Sequence, residues 1–306
     1  LFVILYTALA GMISVAYTDV VNGLLMMAGF AVAVPVLWTR VDALGGAAAL
    51  LSPERMRWVG TVPVAEAVAL TLPAFLLVLG DANMYQRFFS ARSPAAAARG
   101  VRWLVPAVLL MELVIIACAW LGGGLTGPLD NPGHVLAFVA RDHLPALLGA
   151  LLLATILAII VSTADSYLLV PATCLVRDVW ERFVRPGASE TELVRVSRAT
   201  VLLLGALAWG LTHVSDRFLA VALWAYTMYG AGITPSLVAA FVWPRATSPG
   251  AVASIATGIL VTIGWEVVGK RWLPAVDTVY AALGLSVAAL VVVSLVTTAT
   301  PDRTLR

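Results

Sequence analysis

The sequence predicts an all-α protein embedded in a membrane, and three observations support this fold class. Hydrophobic residues make up 61% of the 306 residues and charged residues only 12%, with a mean hydropathy of +0.97. A soluble domain of average composition carries roughly twice that share of charge. Apolar windows of about 20 residues, long enough to cross the hydrocarbon core as helix, recur along the whole chain. Six of the ten tryptophans fall near the ends of these windows, as in the aromatic belts of membrane proteins.

Eight full spans and one partial first span are predicted, and together they form a single transmembrane domain over residues 1–306. The partial span covers 1–12, and the full spans cover 15–37, 66–86, 102–121, 145–176, 196–213, 218–242, 251–268 and 277–298. Twelve of the 19 basic residues lie on one side of these spans and seven on the other, so the first side is predicted to face the cytoplasm. We expect a multi-pass protein of the plasma membrane, which in a bacterium is the inner membrane.

Composition and motifs argue against two classes of function. The formal net charge of +2 is spread along the chain and forms no basic patch that would follow the phosphates of a nucleic acid. An enzyme is also disfavoured, because the sequence offers neither a nucleophile with its base nor a cluster of residues at metal-ligand spacing. The bilayer is therefore the expected environment, and binding or transport of a solute is the expected kind of activity.

One apolar span carries polar residues in its middle. In the stretch IIVSTADSYLL (159–169), Ser162, Asp165 and Ser166 are three and four residues apart and share one helix face. A carboxylate at this depth costs about 3 kcal/mol even on the lenient insertion scale. Two interpretations remain open from the residues alone. The hydroxyls bond to a carbonyl one turn earlier or to a neighbouring helix, or they replace water around a monovalent cation.

Pro73, Pro171 and Pro235 are candidate interruptions of three of the predicted spans, and two glycines precede Pro235. Proline removes one backbone donor, and in lipid this is tolerated only where protein or water satisfies the freed carbonyl. Such positions are either simple kinks or unwound segments of the kind that bind solutes and ions in transporters. The sequence does not decide between these interpretations.

Four stretches, in chain order, resemble motifs of the sodium:solute symporter family. The stretches are GMISVAYTDVVN (11–22), GDANMYQRFFSARS (80–93), STADSYLL running on to RDVW (162–180), and Pro235 followed by FVWPRATSPGA (241–251). The resemblance extends over residues 11 to about 258. It implies a LeuT-like inverted-repeat fold with ten core helices, and substrate and sodium bound near the bilayer midplane.

The resemblance also implies roles for individual residues. Ser162 and Thr163 correspond to sodium ligands that act through their hydroxyls, and Ile159 to a ligand that acts through its backbone carbonyl. Asp19 corresponds to an acidic residue on the path by which the ion leaves. Asp165 falls where the family is often not acidic, so it is a candidate for proton coupling or solute contact along the same pathway.

The sequence departs from the family pattern at several positions. Ala82 replaces an expected proline, so the local kink is expected to differ. Ala74 and Leu77 are aliphatic where sugar-binding members carry polar and aromatic contacts, which disfavours a sugar. Glu112, in the middle of its span, has no counterpart in the pattern. The chain begins without Met, and no helix corresponds to the first core helices, so we expect the C-terminal part of a longer symporter.

The predicted function is sodium-coupled symport of a small organic solute, with Na⁺ as the coupling ion. Leu77, Tyr226 and Tyr229 are candidate pocket residues, but they are too generic to choose among carboxylates, amino acids and vitamins. The alternative is the symporter-like membrane domain of a signalling protein. The sequence does not indicate an oligomeric state.

Overall fold

The computed structural model describes residues 1–9, 12–46, 62–213 and 218–298, and this part of the chain is helical without strands. Its main helices, numbered in chain order, are α1 (Phe2–Leu9), α2 (Met12–Ala43), α3 (Val64–Gly80), α4 (Ala82–Phe89), α5 (Pro94–Thr126), α6 (Ala146–Cys174), α7 (Glu190–Leu211), α8 (Phe218–Val242), α9 (Ser248–Gly264) and α10 (Thr278–Val296). Short helical turns at Pro132–His134, Val135–Phe138 and Val139–His143 connect α5 to α6. Wide π-helical turns extend α6 through Leu175–Val184 and α9 through Trp265–Gly269.

The predicted spans coincide with helices. Within the described residues, seven helical segments are long and apolar enough to cross a membrane. The remaining full span that was predicted, 218–242, forms the single helix α8 with the same bounds, although α8 is not one of the seven. Its tyrosines, threonines and proline lower its hydropathy. The prediction of an all-α, multi-pass membrane protein is confirmed.

Side-chain caps mark where several helices begin. Ser93, Ser189 and Thr247 have extended backbones, and each side chain accepts a hydrogen bond from the backbone N–H three residues later. Proline follows within two residues in α5 and α9. Both features satisfy or remove donors that have no partner in the first helical turn.

None of the three prolines interrupts its helix. Pro73 lies inside α3, Pro171 inside α6 and Pro235 inside α8. The helical chain from 64 to 89 breaks instead at Asp81, eight residues after Pro73, where the backbone is extended with φ −65° and ψ 107°. A backbone break inside a membrane is tolerated only where its polar groups find partners in protein or water. Its location is therefore informative about function.

The chain divides into two compact units. The first comprises Leu1–Arg57 and Gln86–Thr212, and the second comprises Trp58–Tyr85 and His213–Arg306. In the first unit, α2, α5 and α6 meet in a core that includes the fully buried Phe30, Leu37 and Leu152. In the second unit, α3, α8, α9 and α10 pack together.

Small and hydroxyl side chains allow close helix packing in both units. Gly29 of α2 faces Thr155 of α6, whose hydroxyl donates to the carbonyl of Leu25 at 3.2 Å. In the second unit, Ser254 of α9 and Ser286 of α10 are fully buried, with their hydroxyl oxygens 2.8 Å apart. Small residues and interhelical hydroxyl bonds hold membrane helices together, because the apolar surroundings provide no hydrophobic driving force.

The contact at Gly29 gives a stability prediction. A Cβ at this position would collide with the Thr155 hydroxyl and lie 3.0 Å from the Thr155 Cβ, so Gly29→Ala should destabilise the protein by about 1 to 3 kcal/mol. The matched control is Gly23→Ala on the same helix, where an added Cβ meets nothing within 4 Å. Thermal unfolding in detergent should show a lower midpoint for the first variant only. Equal midpoints would contradict this account of the packing.

Candidate functional site

The candidate site in the first unit is a cluster of charged and hydroxyl side chains from three helices. Asp19 comes from α2, Arg87 from α4, and Ser162, Asp165 and Ser166 from α6. The polar residues on α6 are those whose spacing predicted a common face. The structure brings them together with Asp19, which the sequence singled out separately.

An ion pair anchors the cluster. The Arg87 Nη2 lies 2.6 Å from the Asp19 Oδ2 and donates to the Ser166 Oγ at 2.9 Å. The other Asp19 oxygen, Oδ1, accepts a short hydrogen bond from the Ser162 hydroxyl. The Asp19 side chain is only 13% exposed and that of Arg87 is 45% exposed. The pair therefore reaches from the surface into the protein interior, where the Coulomb interaction is screened less.

Asp165 is the most buried acidic group of the cluster. Its exposed fraction is 0%, and its Oδ1 accepts a hydrogen bond from the Ser166 hydroxyl at 3.4 Å. Its Oδ2 is buried and has no hydrogen-bond partner among the described residues. Buried polar atoms nearly always have a partner, so this oxygen is a candidate ligand atom.

The charges of the cluster do not cancel. Asp19 and Asp165 contribute two carboxylates, and Arg87 contributes one guanidinium, so the ionised cluster carries one net negative charge. An uncompensated charge inside a membrane protein is expensive. A bound cation or a proton on a carboxylate would balance it.

The predicted sodium ligands differ in their surroundings. Ser162 is half-buried and bonded to Asp19, whereas Thr163, the next residue, is exposed. The side chain of Ile159 packs against the core of the first unit. The assignment of Ile159, Ser162 and Thr163 as ligands stays a prediction, as does the place of Asp19 and Asp165 on an ion pathway.

Arg87 is the site residue that sequence reasoning missed. Arg87 lies within the motif GDANMYQRFFSARS (80–93), and that motif is the one sequence signal near it. Its contact with Asp19 joins residues 68 positions apart, which no local pattern indicates.

A second polar feature, in the second unit, is the helix break at Asp81. Side chains pair with the backbone groups around it. Thr234 donates to the Leu76 carbonyl at 2.6 Å, and Tyr85 to the Leu79 carbonyl at 3.1 Å. Asp81 itself accepts from the N–H of Asn83 at 2.9 Å. The break is therefore a defined structure whose backbone groups are satisfied, as a membrane requires.

The candidate pocket residues lie on α3 and on α8, which packs against α3 beside this break. Leu77 is buried three residues before the end of α3. Tyr226 and Tyr229 are half-buried on α8. The Tyr229 hydroxyl accepts from the N–H of Ala82 at 3.0 Å and donates to the carbonyl of Gly80 at 3.2 Å. Their role in binding a solute stays a prediction.

Comparison with known proteins agrees with the class of protein that these features define, a polytopic membrane protein with polar sites inside its helices. The model of the sodium:solute symporter family matches residues 1–258. The chain belongs to the sodium:solute symporter family.

Curated relatives and a solved structure add detail. The chain is 27% identical over 281 residues to the sodium/proline symporter of Escherichia coli (strain K12), covering 88% of this chain and 56% of the relative. It is 25% identical over 305 residues to the osmoregulated proline transporter OpuE of Bacillus subtilis (strain 168), covering 96% and 61%. A structure of a Na⁺-coupled sialic acid symporter in a substrate-bound outward-open state matches with a TM-score of 0.74 at 19% identity, covering 97% of this chain and 65% of that one.

These matches confirm the predicted LeuT-like fold and the family. The chain spans little more than half the length of the two curated relatives. Both relatives are transporters by name, and the sequence offers no reason to assign an enzyme.

The ion pair gives a prediction about stability. Arg87→Gln should leave Asp19 without its charged partner and destabilise the protein by roughly 1 to 2 kcal/mol, less than for a fully buried pair because Arg87 is partly exposed. Adding Asp19→Asn to this variant should recover part of the loss, since Asp19 no longer carries a charge that lacks its partner. Thermal unfolding of the two single variants and the double variant measures this coupling. Strictly additive effects would show that the pair contributes nothing.

Proposed function

We propose that the complete protein is a sodium-coupled symporter that moves a small organic solute across a bacterial inner membrane by alternating access. The observation that carries this proposal is the polar cluster on α2, α4 and α6, with one net negative charge and a buried Asp165 oxygen that finds no hydrogen-bond partner within the described parts of the chain. Family membership supports the same conclusion. None of the relatives named above is a signalling protein, so nothing favours a sensor.

In this proposal sodium is bound by the hydroxyls of Ser162 and Thr163 and by the carbonyl of Ile159. Hydroxyl and carbonyl oxygens suit a hard cation such as sodium, because these neutral oxygens replace the water molecules of its hydration shell. Each sodium ion that enters the cell releases about 2.3 kcal/mol per 100 mV of membrane potential, in addition to its concentration gradient. This free energy would drive the solute uphill.

Ser162 is suited to pass the ion onward. The Ser162 hydroxyl donates to Asp19. A sodium ion would bind to a lone pair of the same hydroxyl oxygen. Asp19 and Asp165 would then receive the ion on its way to the cytoplasm. Arg87 forms an ion pair with Asp19. It would therefore compete with sodium for the Asp19 carboxylate, so sodium would not remain bound to Asp19.

The solute is proposed to bind at the break between α3 and α4, with Leu77, Tyr226 and Tyr229 as pocket residues. Aliphatic side chains at Ala74 and Leu77 disfavour a sugar. Proline is the first solute to test, because the two curated relatives reported above are proline transporters. Proline combines an apolar ring with a carboxylate and an ammonium group, and such a solute suits an apolar surface with a few fixed polar groups.

The sodium site gives a prediction that needs no solute. At about 100 times its dissociation constant, sodium should stabilise the full-length protein by roughly 2.7 kcal/mol. Thermal unfolding in detergent should therefore occur at higher temperature in NaCl than in KCl at equal ionic strength. Thr163→Ala should abolish most of this sodium-specific difference, because it removes one proposed ligand.

The matched control is Thr173→Ala on the same helix. The Thr173 hydroxyl donates to the carbonyl of Leu169 at 2.8 Å, as threonine often does inside membrane helices, and it has no proposed role in ion binding. Its sodium-specific shift should equal that of the wild type. A shift that survives Thr163→Ala, or no shift in the wild type, would contradict the proposed site.

A further inference from the structure

The break at Asp81 occurs where no residue of the local sequence forces it. The segment from Leu79 to Asn83 contains no proline, and α3 passes through Pro73 without interruption. In a continuous helix the N–H of Ala82 would donate to the carbonyl of Val78, four residues earlier. Nothing in the side chains of these two residues prevents that bond. The Asp81 side chain favours the break locally, because it accepts from the N–H of Asn83 at 2.9 Å, but it leaves the N–H of Ala82 and the carbonyl of Gly80 to be paired by another part of the chain.

Tyr229 supplies such a group. One hydroxyl accepts the N–H of Ala82 at 3.0 Å and donates to the carbonyl of Gly80 at 3.2 Å. The two backbone groups flank the extended residue Asp81. The hydroxyl therefore satisfies, from a residue 147 positions away, a donor and an acceptor that the break releases. In lipid, each of these groups would otherwise be costly to leave unpaired.

The packing of α8 on α3 holds Tyr229 in place. A Cβ added at Gly230 would lie 2.6 Å from the Cβ of Leu76, which shows how closely the two helices approach. Thr234, five residues after Tyr229, donates to the carbonyl of Leu76 at 2.6 Å. α8 is thus bonded to the chain both at the break and one turn before it.

We propose that Tyr229 is a positioning residue that holds the helix open at Asp81 by occupying the N–H of Ala82 and the carbonyl of Gly80. Its hydroxyl acts on the backbone, and it shapes the solute site through the break. This role in transport rests on the proposed function, in which the solute binds at the break. The bond itself does not depend on that function.

The geometry identifies a substitution that should make Tyr229 dispensable. Ala82 is the first residue of α4, the helical position that best accepts proline. A proline there has no N–H and cannot form the bond to Val78. The residue before a proline must be extended, and Asp81 already is. Ala82→Pro should therefore maintain the break without help from the Tyr229 hydroxyl.

The test uses the full-length protein with Tyr229→Phe, Ala82→Pro and the double variant. Thermal unfolding in detergent and the KM and maximal rate of sodium-driven proline uptake are measured for each. Tyr229→Phe should lower the unfolding temperature and raise the KM about three- to tenfold, as expected when hydrogen bonds of ordinary strength are lost. Ala82→Pro alone should also be destabilised, because the proline Cδ replaces the N–H that points at the Tyr229 hydroxyl and would collide with it. In the double variant that hydroxyl is absent, so proline should restore most of what Tyr229→Phe loses.

The matched control is Tyr280→Phe. The Tyr280 hydroxyl donates to the carbonyl of Ala65, at the other end of α3, at 2.6 Å. Ala82→Pro should not compensate for its loss, since that bond lies far from the break. The comparison separates a specific replacement of the Tyr229 bond from a general stabilisation of α3 by proline.

Three results would overturn the proposal: wild-type behaviour of Tyr229→Phe in both measurements, a loss that Ala82→Pro leaves unchanged in the double variant, or a double variant less stable than either single variant. Recovery of the unfolding temperature in the double variant, with no sodium-driven uptake by any variant, would support the positioning role of Tyr229. That result would count against the proposed function instead. The two proposals therefore fail in distinguishable ways.

Discussion

The bilayer offers no hydrogen-bonding partner, and the structure depends on this constraint. Every polar group inside the apolar helices must be satisfied by another part of the chain or by something bound. At the helix break, this requirement is met by Thr234, Tyr229 and Tyr85, whose hydroxyls form hydrogen bonds with backbone groups near the break. In the cluster around Asp19 it is met only in part, because one oxygen of Asp165 has no partner among the described residues.

The same constraint explains why the cluster is suited to moving an ion. A single arginine opposite two carboxylates leaves a negative charge that is costly without a cation, yet none of the contacts is so extensive that a cation would be trapped. Arg87 is partly exposed and bonds to both Asp19 and Ser166. In the proposed function, this cluster would bind sodium and return to the Arg87–Asp19 pair once the ion has left.

The sequence predicted the helices well, because long apolar windows have one stable form in lipid. It also predicted that Ser162, Asp165 and Ser166 share a face, since helical spacing alone decides this. It did not locate the helix break. Proline was the expected signal, but Pro73 lies within a helix and the break follows from a tyrosine 147 residues from its partner. The pairing of Arg87 with Asp19 was equally hidden, because sequence periodicity indicates neighbours on one helix and not contacts between helices.

The central claim is that sodium binds at Ser162 and Thr163, beside the two carboxylates of the polar cluster. Equilibrium binding of radioactive sodium to the purified full-length protein, without solute, tests it most directly. The account predicts saturable binding that potassium does not displace, and a weaker affinity, by about tenfold, in Asp165→Asn, where one carboxylate charge is lost. Binding that is absent in the wild type would contradict the claim. So would unchanged affinity in Asp165→Asn, which would mean that Asp165 takes no part in holding the ion.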